Sequence, residues 1–321
     1  MLFKKWKKQF ITKGGWKTPK SLFRIFIILW ALYVYCKSKG WLPKKSLKGE
    51  HVFITGGGSG LGRYMAMEFA KLGCKVTITD VNIAGLEETK QMIAQQVGLS
   101  AQVHSTRCDV SDSAQVKQAA DLARDVFGAV TILVNNAGIV QGKSFLDASE
   151  GMMRKVMEVN TLSHLWTIRE FLPDMIKLNR GHVVSIASVA GVVGCPGLAE
   201  YSASKFGAFG IDECLRLEIK KMGKNIKTTC ICPYYINTGM FDGVKSKWFL
   251  PILDQHWVVN RIVNAVRQEE SVVLMPWNAN AFFVLRGILP TFVSDYLFKI
   301  CGAFDQMDDF KGRTQQKQTL V

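Results

Sequence analysis

Tyr201 and Lys205 form a pair of side chains that could act together in proton transfer. They lie four positions apart in Tyr201-Ser-Ala-Ser-Lys-Phe-Gly-Ala-Phe-Gly, whose small and apolar residues favour a helix, so both side chains should project from one face. A phenol is a poor base near neutral pH because its pKa is about 10, but a neighbouring cation favours the phenolate and lowers that value. An isolated pair of this kind is also typical of a surface helix.

The elements that would position the pair follow one another regularly from residue 50 onward. Short apolar runs predict strands at 51–55, 75–80, 101–108, 131–135, 182–187, 226–232 and 271–275. Helical patterns lie between them, at 63–72, after Asp80 to about residue 96, at 111–127, at 150–178 with an irregularity at Pro173, and from Tyr201 to about residue 222. This alternation predicts an α/β fold with a doubly wound parallel sheet, a Rossmann fold. Ligands of such a sheet bind beyond the carboxyl ends of the strands.

The stretch Thr55-Gly-Gly-Gly-Ser-Gly-Leu-Gly follows the first strand and precedes a helix. Glycine tolerates the turn and lets the backbone approach a pyrophosphate, whose charge then meets the helix N-terminus. Asp80 ends a strand about 20 residues further on, which strengthens the interpretation as a dinucleotide site. The Asp80 carboxylate should accept hydrogen bonds from the adenosine ribose hydroxyls and repel a 2′-phosphate, so the sequence favours NAD over NADP. Arg63 lies close enough to keep NADP open.

Together with 135-NNAG-138, Asn160, Ser188 and Pro233, these features resemble the classical short-chain dehydrogenases/reductases over about residues 49–270. The spacing of 13 from Ser188 to Tyr201 matches that family's catalytic pair. The resemblance implies a catalytic set of Asn160, Ser188, Tyr201 and Lys205. It implies a cofactor site formed by Gly56, Ser59, Gly60, Leu61, Gly62, Asp80, Asp109, Val110, Asn136, Ala137, Gly138, Tyr201, Lys205, Pro233 and Thr238.

The resemblance also implies a role for each catalytic residue. Tyr201 takes the hydroxyl proton of the substrate, Lys205 lowers the pKa of Tyr201 and binds the nicotinamide ribose, and a hydride passes to the nicotinamide. Ser188 holds the substrate oxygen, and Asn160 maintains a proton relay through water to Lys205. The family's usual Pro-Gly is here Pro233-Tyr234, so the resemblance does not predict the shape of this loop.

The resemblance also implies roles for the residues of the cofactor pocket. Residues 135–138 steady the central sheet and the pocket, and Asp109 with Val110 flanks the adenine. Pro233 and Thr238 lie beside the nicotinamide.

The N-terminal arm carries nearly all of the net charge of +15. Residues 1–48 contain twelve Lys and Arg24 without Asp or Glu, whereas the remaining 28 basic residues face 26 acidic ones. The uncharged run 25–36 is shorter than the roughly 20 residues that span a bilayer, but its aromatic residues and flanking lysines predict a segment held in or on a membrane. A cleaved signal peptide is the alternative, although no A-x-A-like site follows Cys36. The lysines flank an apolar run, which disfavours a nucleic-acid partner.

Two further segments indicate an apolar substrate or surface. Residues 241–257 are aromatic and apolar, and predict either a lid over a lipid substrate or a packed core segment. Residues 281–298 are apolar but interrupted by Arg286, Pro290 and Asp295, and predict an amphipathic surface that rests on a membrane or on a dimer mate. The segments 171–175, 226–241 and 309–313 are similar to a membrane-bound branch of the family, whose substrates are retinoids, steroids and other lipid alcohols.

The eight cysteines are scattered without any C-x-x-C pair, which predicts reduced thiols, no metal site and a domain that faces the cytosol. We therefore expect a membrane-anchoring part (1–48), an NAD-binding dehydrogenase domain (49–270) and a C-terminal extension (271–321). The predicted function is hydride transfer between NAD and a lipophilic alcohol by a homodimer at the endoplasmic reticulum or on lipid droplets. The alternatives are a retinal or ketone reductase that uses NADPH, and a membrane-surface protein that keeps the fold with little catalysis.

Overall fold

Seven parallel strands form one sheet, seen in a computed structural model that describes residues 25–29, 32 and 43–312. The strands are β1 (His51–Thr55), β2 (Lys75–Asp80), β3 (Val103–Arg107), β4 (Ile132–Asn135), β5 (Gly181–Ile186), β6 (Ile226–Pro233) and β7 (Val272–Met275). Their order across the sheet is β3-β2-β1-β4-β5-β6-β7. The strand order reverses between β1 and β4, so this is the position at which a doubly wound sheet binds its ligand.

Helices cover both faces of the sheet. They are α1 (Gly60–Lys71), α2 (Ile83–Val97), α3 (Ser113–Phe127), α4 (Glu150–Met157), α5 (Ser163–Leu178), α6 (Ala199–Lys221), α7 (Gln255–Arg267), α8 (Ala279–Ile288) and α9 (Thr291–Ile300). The helices α1, α2 and α7 bury Met65, Leu86 and Ile262 against one face of the sheet. The helices α3, α5 and α6 cover the other face, where Phe171 and Leu215 are buried. The predicted doubly wound fold is confirmed.

The main difference from the expected elements lies in the predicted helix 150–178. Its irregularity is a π-helical turn at Glu158–Leu162, and Pro173 lies inside the regular helix α5. The physical reason is Asn160, whose Oδ1 accepts from the Ile139 backbone N–H at 2.8 Å and whose Nδ2 donates to the Ile139 carbonyl at 2.9 Å. The widened turn turns this buried carboxamide toward the loop after β4.

The C-terminal extension consists of two short helices, α8 and α9, separated by Pro290. Arg286 attaches α8 to the sheet domain, because its guanidinium donates to the Val192 carbonyl and lies 5.4 Å from the centre of the Phe206 ring. Several apolar side chains of these helices stay exposed, including Ile288 and Phe292 at 73% and 76%.

Contacts divide the chain into residues 1–44 and residues 45–321. In the first unit, residues 25–29 and 32 are helical and expose their apolar side chains. Most of the predicted membrane-anchoring segment lies outside the described residues. Among the described helices, none has the length and apolar character that crossing a bilayer requires.

Candidate active site

A cavity of about 740 Å³ opens at the carboxyl edge of the sheet, beside the ends of β1 and β4. Most of the predicted site residues line it: Gly56, Ser59, Gly60, Leu61, Asp80, Asp109, Val110, Asn136, Ala137, Gly138, Ser188, Tyr201, Lys205, Pro233 and Thr238. Gly62 and Asn160 are the two that lie behind the wall, where each contacts a residue of the wall or its loop. Residues from seven separate segments thus meet at one edge of the sheet.

Gly62 lies where the glycine turn passes closest to its own strand. A Cβ atom at this position would lie 2.0 Å from the Gly56 carbonyl oxygen and 2.7 Å from Asn136 Nδ2, so only glycine fits. Asn136 ties the turn to β4, because its Nδ2 donates to the carbonyls of Thr55 at 2.9 Å and Gly56 at 3.1 Å. The helix α1 begins at Gly60 with no acidic residue in its first turn. Its N-terminal dipole is therefore available to an anion, as a pyrophosphate requires.

Asp80 presents its carboxylate to the cavity at the end of β2. Its Oδ2 accepts from the Gly58 N–H and its Oδ1 from the Asn82 N–H, both at 3.0 Å. Each oxygen keeps a second lone pair, so the carboxylate can still accept from two adjacent hydroxyls. Arg63 is directed elsewhere: its Nη2 donates to Glu88 Oε2 and to the Gly58 carbonyl, both at 2.6 Å.

Asp109 is held by a lysine that the sequence analysis missed. Lys155 Nζ donates to Asp109 Oδ2 at 3.0 Å, and the Ser111 hydroxyl donates to Oδ1 at 2.7 Å. Burial acts against the charged form, but these hydrogen bonds prevail and hold the pKa of Asp109 below its ordinary value. Lys155 lies 46 residues further along the chain on α4 and also lines the cavity. No local pattern in the sequence could have joined the two.

The carboxamide of Asn160 is fully buried and engaged on both sides. Beyond its two bonds to Ile139, Nδ2 donates to Ser204 Oγ at 3.0 Å. A Cβ atom on Gly138 would lie 3.5 Å from both Asn160 Oδ1 and Lys205 Nζ, so these two atoms approach the same point from different helices. The structure therefore brings together the two ends of the expected relay.

Tyr201 and Lys205 project from the first two turns of α6, 5% and 3% exposed. Lys205 Nζ lies 5.7 Å from the centre of the Tyr201 ring and donates to the Ile186 carbonyl at 2.8 Å. The Ser188 hydroxyl hydrogen-bonds with the phenol and also lies 3.3 Å from the Pro233 carbonyl oxygen. The serine, the phenol and the ammonium thus share one buried corner of the cavity.

In the protein alone the pKa of Tyr201 is raised, although an ammonium beside it was expected to lower it. Burial raises the pKa of Tyr201 to about 12, and the hydrogen bond with Ser188 only partly offsets it. Burial also lowers the pKa of Lys205 to about 8. The reason is that the desolvation of a buried phenolate outweighs the attraction of an ammonium several ångströms from the ring. Further positive charge in the cavity would lower this pKa.

The loop after β6 departs from the family pattern at Tyr234, as the sequence shows. The Tyr234 N–H donates to the Met275 carbonyl at 2.7 Å, and its ring lies 4.6 Å from that of Tyr235. Phe241 is 5.0 Å from Tyr235 and 5.6 Å from Tyr201 between ring centres. The cavity wall next to the phenol of Tyr201 is therefore aromatic.

Residues 302–312 close this aromatic side of the cavity. Their backbone bonds to the loop after Phe241, through Lys245 N–H to the Gln306 carbonyl at 3.0 Å and Lys311 N–H to the Asp242 carbonyl at 2.8 Å. Lys245 also forms an ion pair with Asp309 at 2.8 Å. We call residues 302–312 the C-terminal cover.

The segment 241–257 is both a wall of the cavity and a packed segment. Phe241 and Leu250 line the cavity, and Val244, Leu250 and Leu253 are buried, whereas Trp248 is 90% exposed. Further apolar lining, not assigned to the site from the sequence, includes Cys195, Leu198, Met240, Ala279, Phe298 and Cys301. Only the apolar character of the C-terminal stretch could have indicated part of it.

Comparison with known proteins gives the same picture. Residues 50–247 match the family described as short chain dehydrogenase. Epidermal retinol dehydrogenase 2 of Mus musculus is 42% identical over 299 residues, which cover 91% of this chain and 93% of the relative. Estradiol 17-beta-dehydrogenase 11 of Homo sapiens is 37% identical over 304 residues, covering 92% and 100%. A short chain dehydrogenase/reductase from Burkholderia phymatum in complex with NAD superimposes with a TM-score of 0.69 at 28% identity, covering 76% of this chain and 94% of that one.

Proposed function

The chain belongs to the short-chain dehydrogenase/reductase family, as an NAD(P)-dependent dehydrogenase acting on alcohols, and from that premise we propose that it oxidises lipophilic alcohols at a membrane with NAD as the hydride acceptor. The substrate is a retinol-like, 17β-hydroxysteroid-like or other lipid alcohol. Two relatives named for retinol and estradiol support this substrate class.

The mechanism follows from the buried corner of the cavity. The Tyr201 phenolate accepts the hydroxyl proton of the substrate, and the Ser188 hydroxyl donates a hydrogen bond to the substrate oxygen. The Lys205 ammonium favours the phenolate, and Asn160 fixes the π-helical turn beside it. The glycine turn, Asp80 and Lys205 would hold NAD. Its oxidised nicotinamide ring would accept the hydride, and the positive charge of that ring would favour ionisation of the buried phenol.

The observation that carries the proposal is the position of Ser188, Tyr201 and Lys205 between the glycine turn and an aromatic wall. The test follows NADH formation by purified membranes that contain the protein, with retinol, a 17β-hydroxysteroid and a long-chain alcohol. We expect turnover of at least one of them, and none by the Tyr201→Phe variant. Failure to oxidise all three, in membranes with folded protein, would contradict the proposed substrate class.

NAD should be preferred to NADP by roughly 100-fold in kcat/KM, which corresponds to about 2.7 kcal/mol. The reason is the Asp80 carboxylate at the end of β2, together with the engagement of Arg63 by Glu88. Steady-state kinetics with both cofactors measure the ratio. Asp80→Ser should reduce it about tenfold or more, whereas Glu87→Gln, an exposed residue of α2, should leave it unchanged. A higher kcat/KM with NADP for the wild-type chain would refute the preference.

Membrane association is proposed for the N-terminal part and the C-terminal helices. It is supported by the basic and apolar composition of residues 1–48 and by exposed aromatic residues near the cavity side, such as Trp248 and Trp277 at 90% and 83%. We propose residues 1–48 as the anchor, 49–270 as the dehydrogenase domain and 271–321 as an extension that rests on the membrane or a dimer mate. The location is the endoplasmic reticulum or lipid droplets, with the catalytic domain toward the cytosol.

Residues 1–48 should direct a fluorescent protein to membranes. The arm carries thirteen positive charges around an apolar run, so anionic lipids and apolar burial act together. Fluorescence microscopy and membrane flotation measure the distribution, with the same fusion carrying Asp at Ile25, Ile28 and Leu29 as the control. A uniformly cytosolic signal from the unmodified arm would defeat the anchor.

Two alternatives remain as outcomes of these assays. A retinal or ketone reductase would show faster NADPH oxidation with the carbonyl than NADH formation with the alcohol. A membrane-surface protein with little catalysis would bind NADH but turn over none of the alcohols. Against the second alternative, Ser188, Tyr201 and Lys205 line the cavity and Asn160 lies directly behind its wall.

A further inference from the structure

The layer between the sheet and the helices α5 and α6 holds many buried polar groups that the proposed mechanism does not use. Within the described residues, fourteen buried side-chain nitrogen and oxygen atoms lack a hydrogen-bond partner, and seven of them belong to this layer. The seven atoms are Asn135 Nδ2, both ring nitrogens of His164, Ser185 Oγ, Asp212 Oδ1, Arg216 Nε and Thr228 Oγ1.

These groups extend away from Lys205 along one face of α6. Lys205, Asp212 and Arg216 are seven and four residues apart, so they share the helix face that packs on the sheet, with about 10 Å of axial rise from Lys205 to Asp212. Below them the sheet presents Asn135 and Ser185, which are direct partners across β4 and β5. The Asp212 carboxyl group lies near the hydroxyls of Ser185 and Thr228, without a hydrogen bond of ordinary geometry to either of them.

His164 closes the layer from the side of α5, one turn after Asn160. Its ring is 1% exposed, and burial and the charge of Lys205 lower its pKa to about 3, so it stays neutral. A neutral imidazole carries one donor and one acceptor, and neither is satisfied by a described residue. Asn135 lies next to it, because its Oδ1 accepts from Thr167 Oγ1, one turn further along α5, at 2.7 Å.

Asp212 is the titrating group of the layer. It is 1% exposed, and burial raises its pKa to about 7, against the opposing effect of the nearby Ser185 and Thr228 hydroxyls. The other ionisable groups that act on it or face it are Arg216 and Glu213 on its own helix and Cys230 on β6. Lys205 acts on both Cys230 and His164, which connects the layer electrostatically to the catalytic corner.

Unmet hydrogen bonds of this number are costly, at about 1–3 kcal/mol for each buried group. A buried water satisfies such groups where two to four polar partners converge. Asn135 and Ser185, which are partners across β4 and β5, and the neighbouring Asp212 provide such groups. At the far end, the side chain of Arg216 is 23% exposed and pairs with Glu213 at 3.4 Å, so the layer reaches solvent there. Waters bound to these groups would link the region of Lys205 to the solvent-facing end of the layer.

The oxidation of an alcohol requires such a path, because each turnover releases one proton. The C–H bond of the alcohol breaks with transfer of hydride to NAD, and the O–H proton passes to Tyr201, which is buried together with Lys205. We propose that this proton leaves from Lys205 through waters along the inner face of α6, with the Asp212 carboxylate as its carrier and His164 as a positioning residue. Every step breaks one O–H or N–H bond and forms another, so the path needs no further reactant. The inference rests on the proposed dehydrogenase function.

The test compares Asp212→Asn with the wild-type full-length chain, with NAD and an oxidised alcohol. NADH formation and the release of protons to a pH indicator are followed together in stopped flow, at several pH values. Asp212→Asn should slow proton release about tenfold and remove an inflection near pH 7 from the wild-type pH–rate profile, while NADH affinity stays unchanged. Glu218→Gln, at an exposed position further along the same helix, should behave as wild type, and Asp212→Glu should restore the inflection.

Unchanged proton release and an unchanged inflection in folded Asp212→Asn would overturn the proposal. If Asp212→Asn fails to fold, Thr228→Val removes one hydroxyl of the layer with little change of shape and is read by the same criteria. If the wild-type chain oxidises no alcohol, the proposed function fails. The path is then tested separately, by the pH titration of the infrared carboxyl band of Asp212. Replacing Lys205 by Met should shift the midpoint of that band, and a midpoint that does not move would overturn the connection.

Discussion

Replacing Tyr201 by Phe is expected to lower kcat/KM for alcohol oxidation by about three orders of magnitude. The substitution removes one oxygen atom from a residue that is 5% exposed and hydrogen-bonded with Ser188, and it leaves the aromatic contact with Phe241 at 5.6 Å between ring centres. Without the phenol no described group next to Ser188 can accept the substrate proton, whereas the glycine turn and Asp80 stay as they are. NADH affinity, measured by fluorescence titration, should therefore change less than about threefold.

The matched control for this variant is Tyr235→Phe. Tyr235 belongs to the same aromatic wall, and its hydroxyl contacts Met307 Sδ at 3.7 Å and Cys195 Sγ at 3.5 Å. It loses the same atom without touching the catalytic corner, so kcat should stay within about fivefold of wild type. Turnover by Tyr201→Phe at a rate comparable to that of Tyr235→Phe would remove Tyr201 from the mechanism.

Replacing Gly62 by Ala is expected to abolish measurable NADH binding, a loss of at least about 100-fold in affinity. The added Cβ atom would lie 2.0 Å from the Gly56 carbonyl oxygen, and the obstacle is backbone that cannot turn aside like a side chain. The strand end and the start of α1 must separate, and the bonds from Asn136 to Thr55 and Gly56 are strained with them. Overpacking of this kind costs about 1–3 kcal/mol of folding free energy, so the melting temperature should fall as well.

Gly151→Ala provides the comparison for the same chemical change. Gly151 lies in α4, where an added Cβ atom would meet nothing within 4 Å. Alanine is the better helix former by about 1 kcal/mol, so this variant should be as stable as wild type or slightly more stable, with full NADH affinity. NADH titration and thermal unfolding of both variants measure the difference. Equal NADH affinity in the two would contradict the close approach of position 62 to the Gly56 carbonyl oxygen.

The fold was predictable because its signals are local. Each strand is a short apolar run, and the glycine turn sits between a strand and a helix, so the order of elements and the carboxyl edge follow from neighbouring residues. The ends shifted by a few residues: the helix predicted from Arg63 begins at Gly60, and the strand predicted at 101–108 is Val103–Arg107. Such shifts arise because glycines at a helix start carry no propensity signal, although the phosphate site needs them there.

Features that depend on distant segments were not predictable. The ion pair of Asp109 with Lys155 joins residues 46 apart, and the C-terminal cover meets the loop after Phe241 from more than 60 residues away. The pKa of Tyr201 was predicted with the wrong sign for the protein alone, because the spacing of Lys205 is visible in the sequence whereas the burial of the phenol is not. The location of Asn160 in a π-helical turn likewise depends on the backbone of Ile139, which no periodicity reports.

The C-terminal cover also determines the order in which the protein acquires its properties during synthesis. A nascent chain that has emerged up to β7 already contains the whole sheet, the glycine turn and the catalytic helix, and all of these can assemble as one unit. Gln306 and the rest of the cover are translated later, and together with Phe298 and Cys301 they complete the wall on the aromatic side of the cavity. A premature stop after β7 should therefore leave the glycine turn and the catalytic helix in place and remove part of the wall on the aromatic side of the cavity.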